Sequence, residues 1–142
     1  MLRRLSTCAF LLLGCALFSL AISPEVNADE SKAENDGGPL KILLITSGCC
    51  HDYDFQTRAM QLALNERGVE AQWDVVNEGG TGTDAQIELY KNPNWADGYD
   101  VVIHNECFAK TDNADYIRGI TKPHHDGTNA VVIHCAMHTY RD

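Results

Sequence analysis

The side chains best able to do chemistry gather in three short stretches. They are Gly48-Cys49-Cys50-His51-Asp52, His104-Asn105-Glu106-Cys107 and His134-Cys135-Ala136-Met137-His138. Each stretch overlaps or follows the end of an apolar run. Imidazole titrates near neutrality, and a carboxylate beside it can orient the ring and share its proton. The histidines and carboxylates of these stretches, His51, Asp52, His104, Glu106, His134 and His138, are therefore candidates for acid–base work and for holding a substrate. All six histidines lie in these stretches or in the pair His124-His125. Three readings stay open for the set. It forms an acid–base pocket; or His51, His104, Glu106 and His134 hold a divalent metal such as zinc, for which the ligand types are suited; or the histidines are hydrogen-bonded braces for loops. No close-spaced pair of the HExxH kind supports the metal, and the sequence names no other cofactor.

The remaining reactive residues point less sharply. Cys135 follows an apolar run, with His138 three residues on. A nucleophile elbow, however, needs a sharp turn flanked by small residues, and Ile133 and Met137 stand there instead. No base from another strand is evident for it. Cys49 and Cys50 are adjacent and would bond to each other only under strain; packed thiols and a disulfide are equally compatible with the four cysteines beyond residue 28. No CxxC or zinc-finger spacing occurs. Glu78-Gly79-Gly80-Thr81-Gly82-Thr83 lacks the lysine and spacing of a phosphate cradle and reads as a mobile loop. His124-His125 reads as a solvated turn at the end of the sheet away from the three stretches. Trp95 and Tyr99 read as packing beneath the sheet, although aromatic rings of this kind can also stack on a sugar.

These residues need elements to hold them. Lys41–Thr46 is a continuous apolar run, as in a strand buried on both faces. Asp54 can cap a helix to about Arg67, with Phe55, Ala59, Leu62 and Ala63 on its apolar face and Gly68 at its end. Val69, Ala71, Trp73 and Val75 alternate with polar residues, the pattern of a half-buried edge strand. Thr83 and Gln86 suggest a capping box for a short helix to Tyr90, closed by Asn92-Pro93. Asp100–His104 and Ala130–His134 read as two further buried strands. Thr111 and Asp115 begin the helix between them, which Pro123 stops. Strict β-α alternation implies a parallel sheet with helices on both faces. The edge character of the second strand gives the order 2-1-3-4, a flavodoxin-like α/β domain whose ligands bind beyond the carboxyl ends of the strands. The sheet is expected to continue past Asp142, so that the chain reads as truncated before the last strands.

The ends and the charge bound the partners. Arg3-Arg4, an uncharged apolar run from Leu5 to Ile22 and the small-residue pattern Val26-Asn27-Ala28 read as a secretory signal peptide, residues 1–28. A retained anchor and a lipoprotein acylated at Cys15 are the alternatives. Cleavage would give a periplasmic or secreted protein with no stable membrane insertion, a polar leader over 29–39 and a domain over 40–142. Losing Arg3, Arg4 and Glu25 takes the formal charge from −9 to −10. Such an acidic domain excludes nucleic acid as a natural partner and favours a small, uncharged or cationic ligand.

KILLITSGCCHDYDFQTRAMQLAL, GYDVVIHNECF and VVIHCAMHTYR together resemble the ThuA-like (trehalose utilisation) domain family over about residues 40–142. The most specific pieces are the Gly-x-x-His-Asp segment after the first strand and Ile-His-Cys-Ala at the fourth. The resemblance implies a fold similar to class I glutamine amidotransferases without their catalytic triad. It also implies work on trehalose or a related disaccharide, oxidised forms included, with His51, His104 and His134 as the catalytic residues lining the pocket and Asp52 and Glu106 supporting them. A carbohydrate-binding module without catalysis and a metal-dependent hydrolase remain the alternative functions.

Overall fold

The computed structural model describes residues 37–140; the signal-peptide reading and most of the leader lie outside the described residues. The first apolar run forms β1, Leu40–Gly48, at the centre of a four-stranded parallel sheet of order β2-β1-β3-β4, with β2 at Ala71–Asn77, β3 at Val101–Cys107 and β4 at Asn129–Val132. Register is continuous: Ile45 lies beside Val76 on one side and His104 on the other. The domain is thus the flavodoxin-like α/β sheet that the alternation of elements implies.

The period-2 rule of strands divides the core in two. Leu43 and Ile45 of β1 and Val102 of β3 face one layer, where they meet Ile87, Tyr90, Trp95, Phe108 and Ile120. Ile42, Leu44 and Ile103 face the opposite layer, against Met60, Leu64 and Trp73. That second layer belongs to α1, Tyr53–Glu66. The helix is rotated from the expected phase: Phe55 and Leu62 are exposed, and Met60 and Leu64, one turn apart, pack instead. Its N-cap is Asp52, whose Oδ1 accepts from the Phe55 N–H at 2.8 Å; Asp54 sits within the first turn. A carboxylate at that place satisfies an orphan amide and complements the helix dipole.

Three further boundaries differ from expectation. No helix runs from Thr83 to Tyr90; a single 3₁₀ turn, Glu88–Lys91, stands there. Glu78 caps it from a distance, its Oε2 accepting from the N–H of Glu88 at 2.8 Å and of Leu89 at 3.3 Å. The second α-helix, α2, is Ala114–His125, capped by Asn113 rather than Thr111, whose buried hydroxyl donates to the Ala85 carbonyl. Pro123 lies inside α2 and does not stop it. Proline leaves the carbonyl four residues back without its helical donor. That carbonyl is Gly119's, and the indole N–H of the buried Trp95 donates to it at 3.1 Å. Trp95 thus packs beneath the sheet, as expected, and also repairs the helix.

β4 is not the doubly buried strand that its apolar run suggests. It pairs with β3 alone, and Val131 and Val132 are each 47% exposed. It ends at Val132, and His134–His138 forms a 3₁₀ turn. The glycine-rich loop is not loose either. The Gly80 carbonyl accepts from both the Ser47 hydroxyl and the Gly48 amide at 2.8 Å, and the Thr83 carbonyl accepts from the Lys110 amide at 2.8 Å. Among the described residues no helix is long and apolar enough to cross a membrane.

Candidate functional site

The end of β1 is where the backbone is most constrained. Ser47 and Cys50 have φ of 138° and 87°, a region that side chains rarely adopt, and Gly48 has φ 95°. Gly48 is required there by close approach as well: a Cβ would lie 2.3 Å from the Cys107 carbonyl oxygen on β3. The ends of β1 and β3 are therefore closed on each other by backbone contact, and the Cys49 and Cys107 sulfurs stand 3.7 Å apart. Cys49 and Cys50 form a disulfide with each other. The positive φ at Cys50 shows how the adjacent pair is accommodated, which leaves Cys107 and Cys135 as thiols. Unusual backbone states cost free energy and cluster at functional sites.

The open space lies one strand over. A cleft of about 280 Å³ is lined by Ser47 and Gly48 at the end of β1, by His51, Asp52, Tyr53 and Asp54 at the start of α1, and by Asn77, Gly80 and Thr81 after β2. Its walls carry an imidazole, two carboxylates, an amide and hydroxyls. Asp52 contributes to the wall while its Oδ1 is held by the helix cap. The Tyr53 hydroxyl donates to the Cys49 carbonyl at 2.7 Å. Burial, and then the nearby Cys107, Cys135 and Glu106, push its pKa up to about 12, so it remains a donor across the physiological range.

The predicted site residues divide into two groups. His51 comes together with His134, their rings 6.1 Å apart, and with Cys135, whose sulfur lies 2.8 Å from His51 Nε2. His138 is the exposed neighbour of His134, ring to ring 6.4 Å. This rim cluster contains the basic partner for Cys135 that the sequence did not reveal. His51 lies 84 residues earlier and nothing local signals the contact.

His104 and Glu106 are not on the rim. They alternate inward on β3, 6% and 0% exposed, and Glu106 Oε1 lies 3.0 Å from His104 Nδ1. The same oxygen accepts from the Tyr90 hydroxyl at 2.7 Å and from the Tyr140 hydroxyl at 3.3 Å. His104 Nε2 meets His124 Nε2 at 2.9 Å. His124 is therefore not a solvated turn residue. It stands half-buried in the last turn of α2, inside the network; His125 beside it is exposed. The four-residue metal set does not converge, since both ring nitrogens of His104 are already engaged.

The network fixes its own protons. His124 Nδ1 must donate to the Thr128 carbonyl at 2.9 Å. Burial holds the His124 pKa below the usual histidine value, with His104 adding to the effect against an opposing push from the Thr128 bond. The neutral ring accepts at Nε2, so His104 Nε2 carries a hydrogen. The Tyr90 hydroxyl lies against both members of the pair, 3.1 Å from His104 Nδ1 and 2.7 Å from Glu106 Oε1. Burial first, and then Glu106, raise Tyr90 well above its ordinary value and Tyr140 likewise. Glu106 Oε2 has no hydrogen-bond partner. Glu106 lies on a second, largely apolar cleft of about 340 Å³ shared with Ile117, Ile120, Thr121 and Val132.

Comparison of the chain with family models, with curated proteins and with solved structures finds no match.

Proposed function

We propose that this chain is an exported domain of the ThuA-like kind that acts on a carbohydrate, trehalose or a related disaccharide, at the cleft beyond the ends of β1 and β2. The observation that carries the reading is the composition of that cleft: Asp54, Asn77, Thr81 and Ser47 offer acceptors and donors of the kind that pair with sugar hydroxyls, with His51 on the wall. A volume of about 280 Å³ lies at the small end of ligand pockets, which suits one or two sugar rings and not a polymer. His51 is the acid–base candidate, because its ring reaches the cleft while Cys135 holds Nε2. The buried His104–Glu106 pair lines the second cleft instead.

A thermal-shift screen with trehalose, other disaccharides and their oxidised forms tests the reading. A shift that survives in His51→Ala, together with loss of turnover in that variant, supports catalysis at the cleft. No shift with any sugar, from a protein that melts cooperatively, overturns the carbohydrate reading.

A further inference from the structure

We propose that His51, His134 and Cys135 form a binding site for one zinc-class divalent cation. The site goes beyond the carbohydrate reading and does not depend on it. One nitrogen of each ring and the Cys135 sulfur all lie within 4.8 Å of one another, and His51 Nε2 and the sulfur are already 2.8 Å apart. Zinc bonds of about 2.0–2.1 Å to nitrogen and 2.3 Å to sulfur, at a tetrahedral angle, place ligand atoms about 3.3–3.6 Å apart. Movements of about 1 Å, within reach of side-chain rotation, bring the three to that spacing.

The backbone is better prepared than the side chains. His51 is held between the Cys49–Cys50 disulfide and the Asp52 cap of α1. His134 and Cys135 sit in a 3₁₀ turn fastened to β3 by the Ile133 amide, which donates to the His104 carbonyl at 2.9 Å, and closed by the Ala136 amide donating to Ile133 at 2.7 Å. Ligands mounted on fixed backbone are what a metal site requires. Histidine nitrogen and cysteine sulfur are both zinc ligands, and three protein donors leave a fourth position for water. The other sulfur cluster, Cys49, Cys50 and Cys107, is unsuited while two of its members are joined as a disulfide. Of the four ligands considered from the sequence, His51, His104, Glu106 and His134, the rim site keeps His51 and His134 and brings in Cys135.

Titration of the oxidised, sugar-free protein with Co²⁺ tests the assignment. The expected result is one ion per chain, a thiolate-to-cobalt charge-transfer band and visible bands of tetrahedral intensity, all displaced by Zn²⁺. Cys135→Ser removes the charge-transfer band. Loss of second-sphere partners typically weakens metal binding about 10–100-fold, so His51→Ala and His134→Ala, which remove ligands, weaken it at least about tenfold. His125→Ala, an exposed histidine outside the cluster, leaves it unchanged. The proposal is overturned if the folded protein shows no band, if the band persists in Cys135→Ser, or if His125→Ala weakens binding as much as the ligand variants. His134 and Cys135 lie outside the lining of the sugar cleft, so the effect of their variants on metal binding is read apart from sugar binding.

Discussion

Replacing Gly48 by alanine tests how the end of β1 is built. At φ 95° an L-residue pays about 1–2 kcal/mol relative to glycine. The new Cβ would also stand 2.3 Å from the Cys107 carbonyl oxygen and 2.7 Å from its carbon. Both are backbone atoms of a neighbouring central strand, so no rotamer change relieves the contact, and forced overpacking of this kind costs about 1–3 kcal/mol. The sum is about 2–5 kcal/mol, a large part of the 5–15 kcal/mol typical of a whole domain. Gly80→Ala is the matched control: φ is 71°, but nothing lies within 4 Å of its added Cβ, so only the backbone cost of about 1–2 kcal/mol applies. Urea denaturation of both variants, read as midpoint at constant slope, separates the two contributions. Gly48→Ala should fall below Gly80→Ala by at least 1 kcal/mol, on the order of the lower overpacking cost. Equal midpoints would refute the claim that β1 and β3 close on each other at the site.

Other consequences are equally specific. Trp95→Phe should cost about 1–3 kcal/mol, because it leaves the Gly119 carbonyl without a donor; adding Pro123→Ala, which restores a helical N–H, should recover part of that loss in a double-mutant cycle. His124 has a folded pKa below its unfolded value of about 6.5, so the unfolded chain binds more protons in the window between them. Stability should therefore be full above about pH 6.5 and decline as the pH falls through the folded value, and His124→Asn should flatten the decline of the urea midpoint between pH 8 and pH 5.5. All five tyrosines have raised pKa values, each chiefly through burial. An ultraviolet titration should thus show less than half of the phenols ionised at pH 10.0, rising when guanidinium unfolds the chain; half-ionisation of the folded protein at that pH would contradict the packing described.

What the sequence disclosed and what it hid follow from the range of the interactions. Lys41–Thr46 and Asp100–His104 read as continuous apolar runs because strands buried on both faces leave little place for polar side chains; they disclosed the sheet, and the alternation of the second strand disclosed its order. The same argument misled at Ala130–His134: an apolar run records what a strand can bury, and β4 has only one paired neighbour. The short helix after Thr83 failed because its caps are distant, Glu78 on the N-terminal amides and the Tyr116 hydroxyl on the Ile87 amide. Pro123 looked like a stop because the donor that replaces its missing N–H comes from Trp95, 28 residues earlier. At the site, the gathering of histidines and cysteines at strand ends was visible. Their division was visible in principle too, since positions 104 and 106 share one face of a strand and that face points into a core. The partnerships of His51 with Cys135 and of His104 with His124 were not, because they join segments that only the folded sheet brings together.

The measurement that tests the central claim most directly is an isothermal titration of trehalose, then of related and oxidised disaccharides, into the protein and into an Asp54→Asn, Asn77→Ala double variant. Both positions lie on the cleft wall away from the core, so the variant should melt as the parent does. The account predicts saturable binding of at least one disaccharide by the parent, lost or weakened at least about tenfold, or about 1.4 kcal/mol, in the variant. Binding of equal strength in both, or none by the folded parent, would contradict it.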